Sequence, residues 1–227
     1  TRVGGFLRGG PPIPVDVLSW NCRGVGNRRT VREVLALAKT NIPKLVFLCE
    51  TWQASVKMEK LRWRFGLKGF YGVCSSGLSG GIALYWDEAL LVTVLVACQR
   101  YIDVMVEDKS SDKRWRMTFV YGEPRVENRH IMWTKLAHLK TMNDLPWLVV
   151  GDFNECMWDF EHLSVTPRVE AQMVAFRDTL EVCELVDLGF TGLPFTYDNR
   201  RGRSANVKVR LDRAVATNDW RNLFAFA

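Results

Sequence analysis

The sequence contains no long apolar run and no closely spaced cysteine pair. No window of its 227 residues approaches the roughly 18 uninterrupted apolar residues of a membrane-spanning helix, and the N-terminus lacks the apolar core of a secretory signal. The six cysteines include no Cys-x-x-Cys pair, and most of them lie in apolar stretches. We therefore expect a soluble intracellular protein with no membrane partner, and buried free thiols rather than zinc sites or disulfides.

Histidine is also scarce, since the chain has only three, at positions 130, 138 and 162. The first two lie in a stretch with helical periodicity, and the third lies in a loop. We expect each of them to have a surface or packing role rather than a catalytic one.

The composition predicts one globular body. Hydrophobic residues make up 48% of the chain, and no change in composition divides it. Residues 1–14 hold four Gly and three Pro, which predicts a flexible linker, and residues 15–227 form the predicted domain. Because the first residue is not Met, we expect the sequence to be a segment of a longer protein.

Basic residues exceed acidic ones, giving a net charge of +6 and a pI of about 9.1. The excess alone is a weak indication of nucleic-acid binding. Two interpretations of its clusters stay open: a solvated surface, or contacts to phosphates, since the clusters flank strand ends that carry polar residues. The residues predicted to contact nucleic acid are Arg28, Arg29, Arg200, Arg201, Arg203 and Arg210.

Hydrophobic periodicity predicts a layered α/β fold. A helix is predicted from Thr30, where Thr30 and Glu33 match a capping box. Further helices are predicted near residues 55–65, 126–142, 170–184 and from 218. After the opening strands, further strands are predicted at 82–86, 91–97, 101–108, 114–121, 147–152, 195–197 and 207–216. Because helices and strand runs appear twice in the same order, we expect a four-layer α/β sandwich, two packed sheets with helices on both outer faces.

Five strand patterns each meet a polar side chain. The segment WLVVGDFNE, residues 147–155, is an apolar run that stops at Asp152 and Asn154, with Gly151 predicted to allow a sharp turn. The other patterns stop at Asn21, Glu50, Tyr121 and Asp212. Since the ends of neighbouring strands form one edge of a sheet, we expect these groups to meet there.

Carboxylates, an amide and a tyrosine hydroxyl at one edge are typical of phosphodiester hydrolysis. A hard cation such as Mg²⁺ binds oxygen ligands, and one or two carboxylates with a substrate phosphate suffice to hold it. The cation neutralises charge on the phosphate, while another carboxylate orients or deprotonates the attacking water.

An ordered set of motifs carries a family resemblance, from about residue 16 to the end of the chain. The motifs are WNCRG (20–24), FLCETW (47–52), SGGIALYW (79–86), FVYGEP (119–124), GDFNE (151–155), LVDLGFTGLPFTYDNRR (185–201) and RLDRAV (210–215). They resemble the endonuclease/exonuclease/phosphatase superfamily, and most closely the apurinic-type endonuclease domain of plant-like non-LTR (LINE) retrotransposons. The resemblance implies a DNase I-like fold and a Mg²⁺-dependent endonuclease, with Mn²⁺ as an alternative. Such an enzyme nicks DNA in the nucleus to prime a reverse transcriptase encoded in the same polyprotein.

The resemblance also implies roles for six residues. Glu50 is the metal ligand, Asp152 aligns or activates the attacking water, and Asn154 binds phosphate or that water. Asn21 positions the metal or catalytic groups, and Tyr121 contacts the scissile phosphate. The sixth residue, Asp212, orients a catalytic histidine through its ring N–H.

Two departures from the family pattern qualify this expectation. Arg23 stands where the repair enzymes have an acidic residue, as in the retroelement pattern. The final Ser-Asp-His motif is absent from the 227 residues, so we expect the last strand to be missing and the piece to be a weak or inactive nuclease. Two alternatives stay open, a degenerate nucleic-acid-binding remnant and a phosphatase or phosphodiesterase of the same fold, although the segment FTYDNRR argues against the latter.

Overall fold

The computed structural model describes residues 16–76, 79–202 and 205–224. The predicted linker, residues 1–14, and Arg203 lie outside these residues. The helices are α1 (Arg28–Asn41), α2 (Ser55–Glu59), α3 (Leu61–Phe65), α4 (Arg129–Met142), α5 (Glu170–Val182) and α6 (Asn218–Leu223), and single 3₁₀ turns span Val126–Asn128 and Asp159–Glu161.

The strands form two large sheets and one small one. The strands are β1 (Val17–Asn21), β2 (Leu45–Cys49), β3 (Gly69–Ser76), β4 (Ser79–Trp86), β5 (Leu90–Ala97), β6 (Tyr101–Asp108), β7 (Arg114–Tyr121), β8 (Trp147–Asp152), β9 (His162–Leu163), β10 (Val186–Asp187), β11 (Tyr197–Asp198), β12 (Lys208–Val209) and β13 (Asp212–Ala216). The first sheet has the order β1-β2-β4-β3, and the second has the order β10-β13-β8-β7-β6-β5. The small sheet has the order β11-β12-β9.

The main core lies between the two large sheets. Phe47 of the first sheet and Phe119 of the second lie with ring centroids 5.4 Å apart, and Trp115 is fully buried beside them. These side chains come from strands that are apolar on the facing side, so burial of both inner faces holds the sheets together.

Helices cover both outer faces. On the first sheet, Val34 of α1 and Met58 of α2 pack in the same buried cluster as Leu48 of β2. On the second, Trp133 of α4 stacks on Phe176 of α5 at 4.7 Å over the outer face of β8. The predicted DNase I-like arrangement of four layers, helix, sheet, sheet and helix, is therefore confirmed.

Helix α1 begins earlier than predicted. Its N-cap is Asn27, whose side chain accepts a hydrogen bond of 2.8 Å from the Arg29 backbone N–H, so the predicted capping box at Thr30 is wrong. Glu33 instead forms an exposed ion pair with Arg29 at 2.9 Å. Asn27 rather than Thr30 is the N-cap because its side chain accepts a hydrogen bond from a first-turn N–H that is otherwise unpaired.

Most of the cysteines are buried, as their apolar surroundings in the sequence predicted. Four of the six thiols, those of Cys22, Cys49, Cys156 and Cys183, are buried. Among the described residues, no helix has the length and apolar character needed to span a membrane.

Candidate active site

The strand topology brings five polar residues to one edge of the two sheets. β1 and β2 run parallel, and so do β7 and β8, so the C-terminal ends within each pair lie side by side. β13 runs antiparallel to β8 and contributes its first residue at the same level. We call this set the polar edge: Asn21, Glu50, Tyr121, Asp152 and Asp212.

Asn21 joins the two sheets through its side-chain amide. Its Nδ2 donates to Glu50 Oε1 at 2.9 Å and to Asp152 Oδ2 at 3.0 Å. The Tyr121 hydroxyl also donates to Glu50 Oε1, at 2.9 Å. One carboxylate oxygen of Glu50 is thus fixed from two sides, by donors that come from different sheets.

Asn154 holds the other side of the Asp152 carboxylate. The Asn154 backbone N–H donates to Asp152 Oδ1 at 2.8 Å, and its side-chain Nδ2 donates to the Gly122 carbonyl at 2.9 Å. Asn154 adopts a left-handed backbone conformation with φ of 56°, which asparagine tolerates better than most residues. The loop after β8 therefore fixes the orientation of Asp152.

Gly151 is not the turn residue that the sequence predicted. It lies within β8, and a Cβ added there would approach the Val120 carbonyl oxygen to 2.1 Å. A Cβ at Gly122 would approach the Phe153 carbonyl oxygen to 2.2 Å. These two glycines allow the backbones of β7 and β8 to come close where Tyr121 and Asp152 leave the sheet.

Asp212 begins a strand, whereas the sequence pattern predicted that it ends one. It opens β13 and lies directly opposite Asp152 in the register of the sheet. Because β13 is antiparallel to β8, the beginning of β13 lies beside the end of β8. Asp212 is therefore at the predicted edge, although it begins its strand. The Asp212 backbone N–H donates to the Thr196 hydroxyl at 3.0 Å.

Burial and mutual repulsion make Asp152 and Asp212 reluctant to ionise together. Burial raises the pKa of both carboxyl groups. The charge of Asp152 raises the pKa of Asp212 further, and the charge of Glu50 raises that of Asp152. The Asn21 amide and the Asn154 N–H act in the opposite direction on the pKa of Asp152 but do not overcome burial. Burial and Glu50 also raise the pKa of Tyr121, so its hydroxyl stays protonated and remains a donor.

A cleft of about 540 Å³ opens above the polar edge, and four residues of that edge line it: Asn21, Glu50, Asp152 and Asp212. Its further lining is Arg23, Asn154, Thr196, Tyr197, Asp198, Asn199, Arg200, Arg201 and Leu211. The Arg23 guanidinium lies 4.9 Å from the ring centroid of Tyr197, and its charge lowers the pKa of both Asp152 and Asp212. Sequence reasoning noted Arg23 only as a departure and did not place Thr196 or Tyr197; the motif FTYDNRR was the available signal.

The predicted nucleic-acid contacts divide between three places. Arg200 and Arg201 line the cleft. Arg28 lines a separate pocket near α1, and Arg29 is exposed and paired with Glu33. The prediction for Arg210 is corrected, because that side chain is 6% exposed and its guanidinium binds two carboxylates inside the protein.

No histidine lines this cleft in the described part of the chain. His130 and His138 are exposed on α4, in agreement with a surface role. His162 lies in β9, where burial lowers its pKa.

The donor set at the polar edge suits a hard cation with few protein ligands. In the described residues, no cluster of three or more His, Cys, Asp or Glu side chains forms a ready-made metal site. Glu50 is half-buried, lines the cleft and offers carboxylate oxygen, while Asp152 and Asp212 add further carboxyl oxygens to the same cleft. Oxygen donors and room for a phosphate and water are what Mg²⁺ and Mn²⁺ accept in such sites.

The fold and the polar edge define a class, the DNase I-like hydrolases that act on phosphodiester bonds. Residues 18–226 match the model of the Endonuclease/Exonuclease/phosphatase family. The chain therefore belongs to this family. A comparison with curated protein sequences gave no match.

Solved structures of nucleases share the fold at low sequence identity. The endonuclease domain of TRAS1, a telomere-specific non-LTR retrotransposon, is 16% identical with a TM-score of 0.63, covering 89% of this chain and 85% of that chain. The AP endonuclease LMAP from Leishmania major is 15% identical with a TM-score of 0.69, covering 89% and 79%. The 3'-5' exonuclease NExo from Neisseria Meningitidis is 15% identical with a TM-score of 0.62, covering 89% and 86%.

Proposed function

We propose that this chain is the endonuclease domain of a non-LTR retrotransposon, of the apurinic type, which nicks DNA by Mg²⁺-dependent hydrolysis of a phosphodiester bond. The observation that carries the proposal is the hydrogen bonding of Asn21 to both Glu50 and Asp152, since it joins a candidate metal ligand to a candidate base. The similarity in fold to the TRAS1 endonuclease domain supports the retrotransposon assignment. We propose DNA as the substrate, a reverse transcriptase as the partner in a longer polyprotein, and the nucleus as the site of action.

The residues of the polar edge divide the work of hydrolysis. Glu50, oriented by Asn21 and Tyr121, would hold the cation, which when bound neutralises charge on the phosphate and its leaving oxygen. Asp152, oriented by Asn21 and the Asn154 N–H, would align the attacking water and take its proton.

The cleft residues would hold the nucleic acid in place. Arg23, Arg200 and Arg201 supply positive charge for the phosphates on either side of the reacting one. Asn154 and Tyr121 would contact the reacting phosphate itself. This contact would be made at the cost of rearranging the hydrogen bonds they make within the protein.

A plasmid assay tests the proposal. Supercoiled plasmid is incubated with Mg²⁺ and wild-type protein, Glu50→Gln, or Glu181→Gln, which removes an exposed charge from α5 as a matched control. We expect Glu50→Gln to reduce nicking about 100-fold or more, the usual scale for a group that stabilises transition-state charge. Nicking that survives in Glu50→Gln while Glu181→Gln behaves as wild type would remove the proposal.

A second candidate function follows from Asp212. In the described residues, Asp212 faces Asp152 and has no histidine beside it, so the positively charged partner that the family resemblance implies is not supplied. We propose that these 227 residues nick DNA slowly. The alternative is a remnant that binds DNA without turning it over.

Chemical rescue separates a slow enzyme from a binding remnant. Imidazole added to the plasmid assay can occupy the cleft beside Asp212 and supply the missing acid or base. For a slow enzyme, we expect imidazole to raise the rate for wild type but not for Asp212→Asn. A binding remnant would show salt-sensitive DNA binding with no imidazole response in either protein.

A further inference from the structure

A second pocket lies between α1 and the α2–α3 segment, away from the polar edge. Its volume is about 370 Å³, within the range of small-molecule sites. We call it the basic pocket, and it is lined by Val25, Gly26, Arg28, Val31, Arg32, Lys57, Met58, Leu61 and Arg64.

Among the described residues, the four cations of the basic pocket have no counter-ion. Arg28, Arg32, Lys57 and Arg64 are exposed and make no hydrogen bond or ion pair through their side chains to any described residue. Their neighbours differ: Arg29 pairs with Glu33 at 2.9 Å, and Arg62 pairs with Glu59 at 3.5 Å. Glu33 and Glu59 thus form ion pairs with arginines outside the pocket. The pocket is left as a concave surface with an excess of positive charge, which attracts anions.

The floor of the basic pocket is apolar. Met58 is 2% exposed and Val25 is 7% exposed, and Val31 and Leu61 are half-buried beside them. A small inorganic anion would leave this floor uncovered. A ligand that joins phosphates to a flat apolar group would use both parts of the pocket, since a base covers aliphatic carbon while phosphates meet guanidinium groups.

The basic pocket shares a loop with the cleft of the polar edge. In the loop between β1 and α1, Arg23 lines the cleft, while Val25 and Gly26 line the basic pocket. The loop is held to the end of β2, because the N–H of Gly24 donates to the Glu50 carbonyl at 2.7 Å and that of Val25 donates to the Thr51 carbonyl at 3.1 Å. A ligand in the basic pocket therefore lies one short, fixed loop from the candidate metal ligand.

We propose that the basic pocket binds a nucleotide, with its phosphates between the four cations and its base on the apolar floor. The nucleotide comes either from solution, as a free nucleoside diphosphate, or from a strand whose scissile bond lies in the cleft. The second source rests on the proposed function, and the first does not. Both use the same phosphate and base contacts.

Binding measured in EDTA tests the pocket without any cleavage. The probes are a fluorescent ADP, inorganic pyrophosphate, and single-stranded oligonucleotides of two lengths, the shorter of which fills only the cleft. The variant is Arg32→Glu combined with Arg64→Glu. Its control is Lys39→Glu combined with Arg221→Glu, which makes the same change in net charge at exposed positions outside the pocket.

If the pocket binds a free nucleotide, we expect ADP to bind at one site and more tightly than pyrophosphate. The pocket variant should then lower the affinity for ADP about tenfold or more, the scale of a lost hydrogen bond to a charged group. If the pocket binds part of a strand, the pocket variant should lower the affinity for the longer oligonucleotide by a similar factor and leave the affinity for the shorter one unchanged. In either case the control changes affinity much less, and thermal unfolding shows that all proteins are folded.

Two results would overturn the proposal. One is an equal loss of binding in the pocket variant and the control, which would mean that only net charge matters. The other is a pocket variant that binds ADP and both oligonucleotides like wild type. Neither result depends on nicking, so a failure of the proposed nuclease activity in the Glu50→Gln assay is read separately.

Discussion

Asp212 and Arg213, the first two residues of β13, belong to two regions in which buried charge is treated differently. Asp212 is at the polar edge, where it lies opposite Asp152 and the charge of Asp152 raises its pKa. Arg213 is fully buried on the other side, where it pairs with Glu161 at 2.7 Å and with Asp187 at 2.5 Å. Arg210 completes this second set, which we call the arginine network: Glu161, Asp187, Arg210 and Arg213.

The pKa shifts show the physical difference between the two regions. Burial opposes the ionisation of Asp187, but Arg213 and Arg210 outweigh it and hold its pKa below the usual value. Burial also acts on Asp212, and there the charge of Asp152 adds to it and raises the pKa. The buried carboxylates of the arginine network are thus paired with guanidinium groups, while Glu50 and Asp152 at the polar edge accept hydrogen bonds from uncharged donors.

Breaking the arginine network gives the largest expected effect on stability. Arg213→Met leaves Glu161 and Asp187 with one cation instead of two, so we expect a loss of about 3–5 kcal/mol in the free energy of unfolding. Chemical denaturation measures it. The control is Arg114→Met at the exposed pair with Glu107, where about 0–1 kcal/mol is expected. A similar small loss in both variants would mean that the network is not a structural element.

Removing one donor at the polar edge should affect catalysis more than stability. Tyr121→Phe deletes the hydrogen bond to Glu50, and we expect nicking to fall about tenfold to 100-fold. The free energy of unfolding should change by about 1 kcal/mol. Tyr71→Phe on β3, where the tyrosine is 37% exposed, is the matched control. If both variants nick like wild type, Tyr121 has no part in orienting Glu50.

Neutralising Asp212 should stabilise the protein at alkaline pH. A carboxyl group whose pKa is raised on folding contributes most below its unfolded pKa, and that contribution is lost as pH rises through the folded value. Asp212→Asn should therefore gain about 1–2 kcal/mol over wild type near pH 9 and little near pH 4, measured by denaturation at both pH values. The control Asp178→Asn, on the exposed side of α5, should show no such trend. An equal effect at both pH values would contradict the repulsion between Asp152 and Asp212.

The smallest effect concerns Arg23, whose charge lowers the pKa of both Asp152 and Asp212. Arg23→Ala should reduce the slope of the logarithm of DNA affinity against the logarithm of salt concentration by about 1, as for one lost phosphate contact. Lys39→Ala at the far end of α1 should leave the slope unchanged. An unchanged slope in Arg23→Ala would show that its guanidinium stays on the Tyr197 ring and does not reach phosphate.

The sequence predicted the polar edge because a buried strand that stops at a polar residue is a local pattern. Asn21, Tyr121 and Asp152 each end a strand in the structure, and Glu50 follows one directly. Asp212 lies at the same edge, but at the beginning of a strand that is antiparallel to β8. The alternation of residues along a strand does not show which strand it pairs with, so this direction was not predicted. The functional roles of these residues stay predictions.

The arginine network was not predictable, because its partners are far apart in the sequence. Arg210 stands among exposed arginines in a basic stretch, yet its ion-pair partner Glu161 lies 49 positions earlier. Similarly, Gly151 is required by the approach of Val120 from another strand, and not by a turn. A local sequence pattern identifies a charged residue. Whether its charge is paired inside the protein depends on a partner that is distant in the sequence.

The proposed function predicts that the polar edge binds a divalent cation through Glu50. The direct test is thermal unfolding of wild type, Glu50→Gln and Glu181→Gln with and without Mn²⁺. A cation that binds only the folded state raises the unfolding temperature by mass action. We predict that Mn²⁺ raises it for wild type and Glu181→Gln and leaves Glu50→Gln unchanged. An equal rise in Glu50→Gln, or no rise in wild type, would contradict the account.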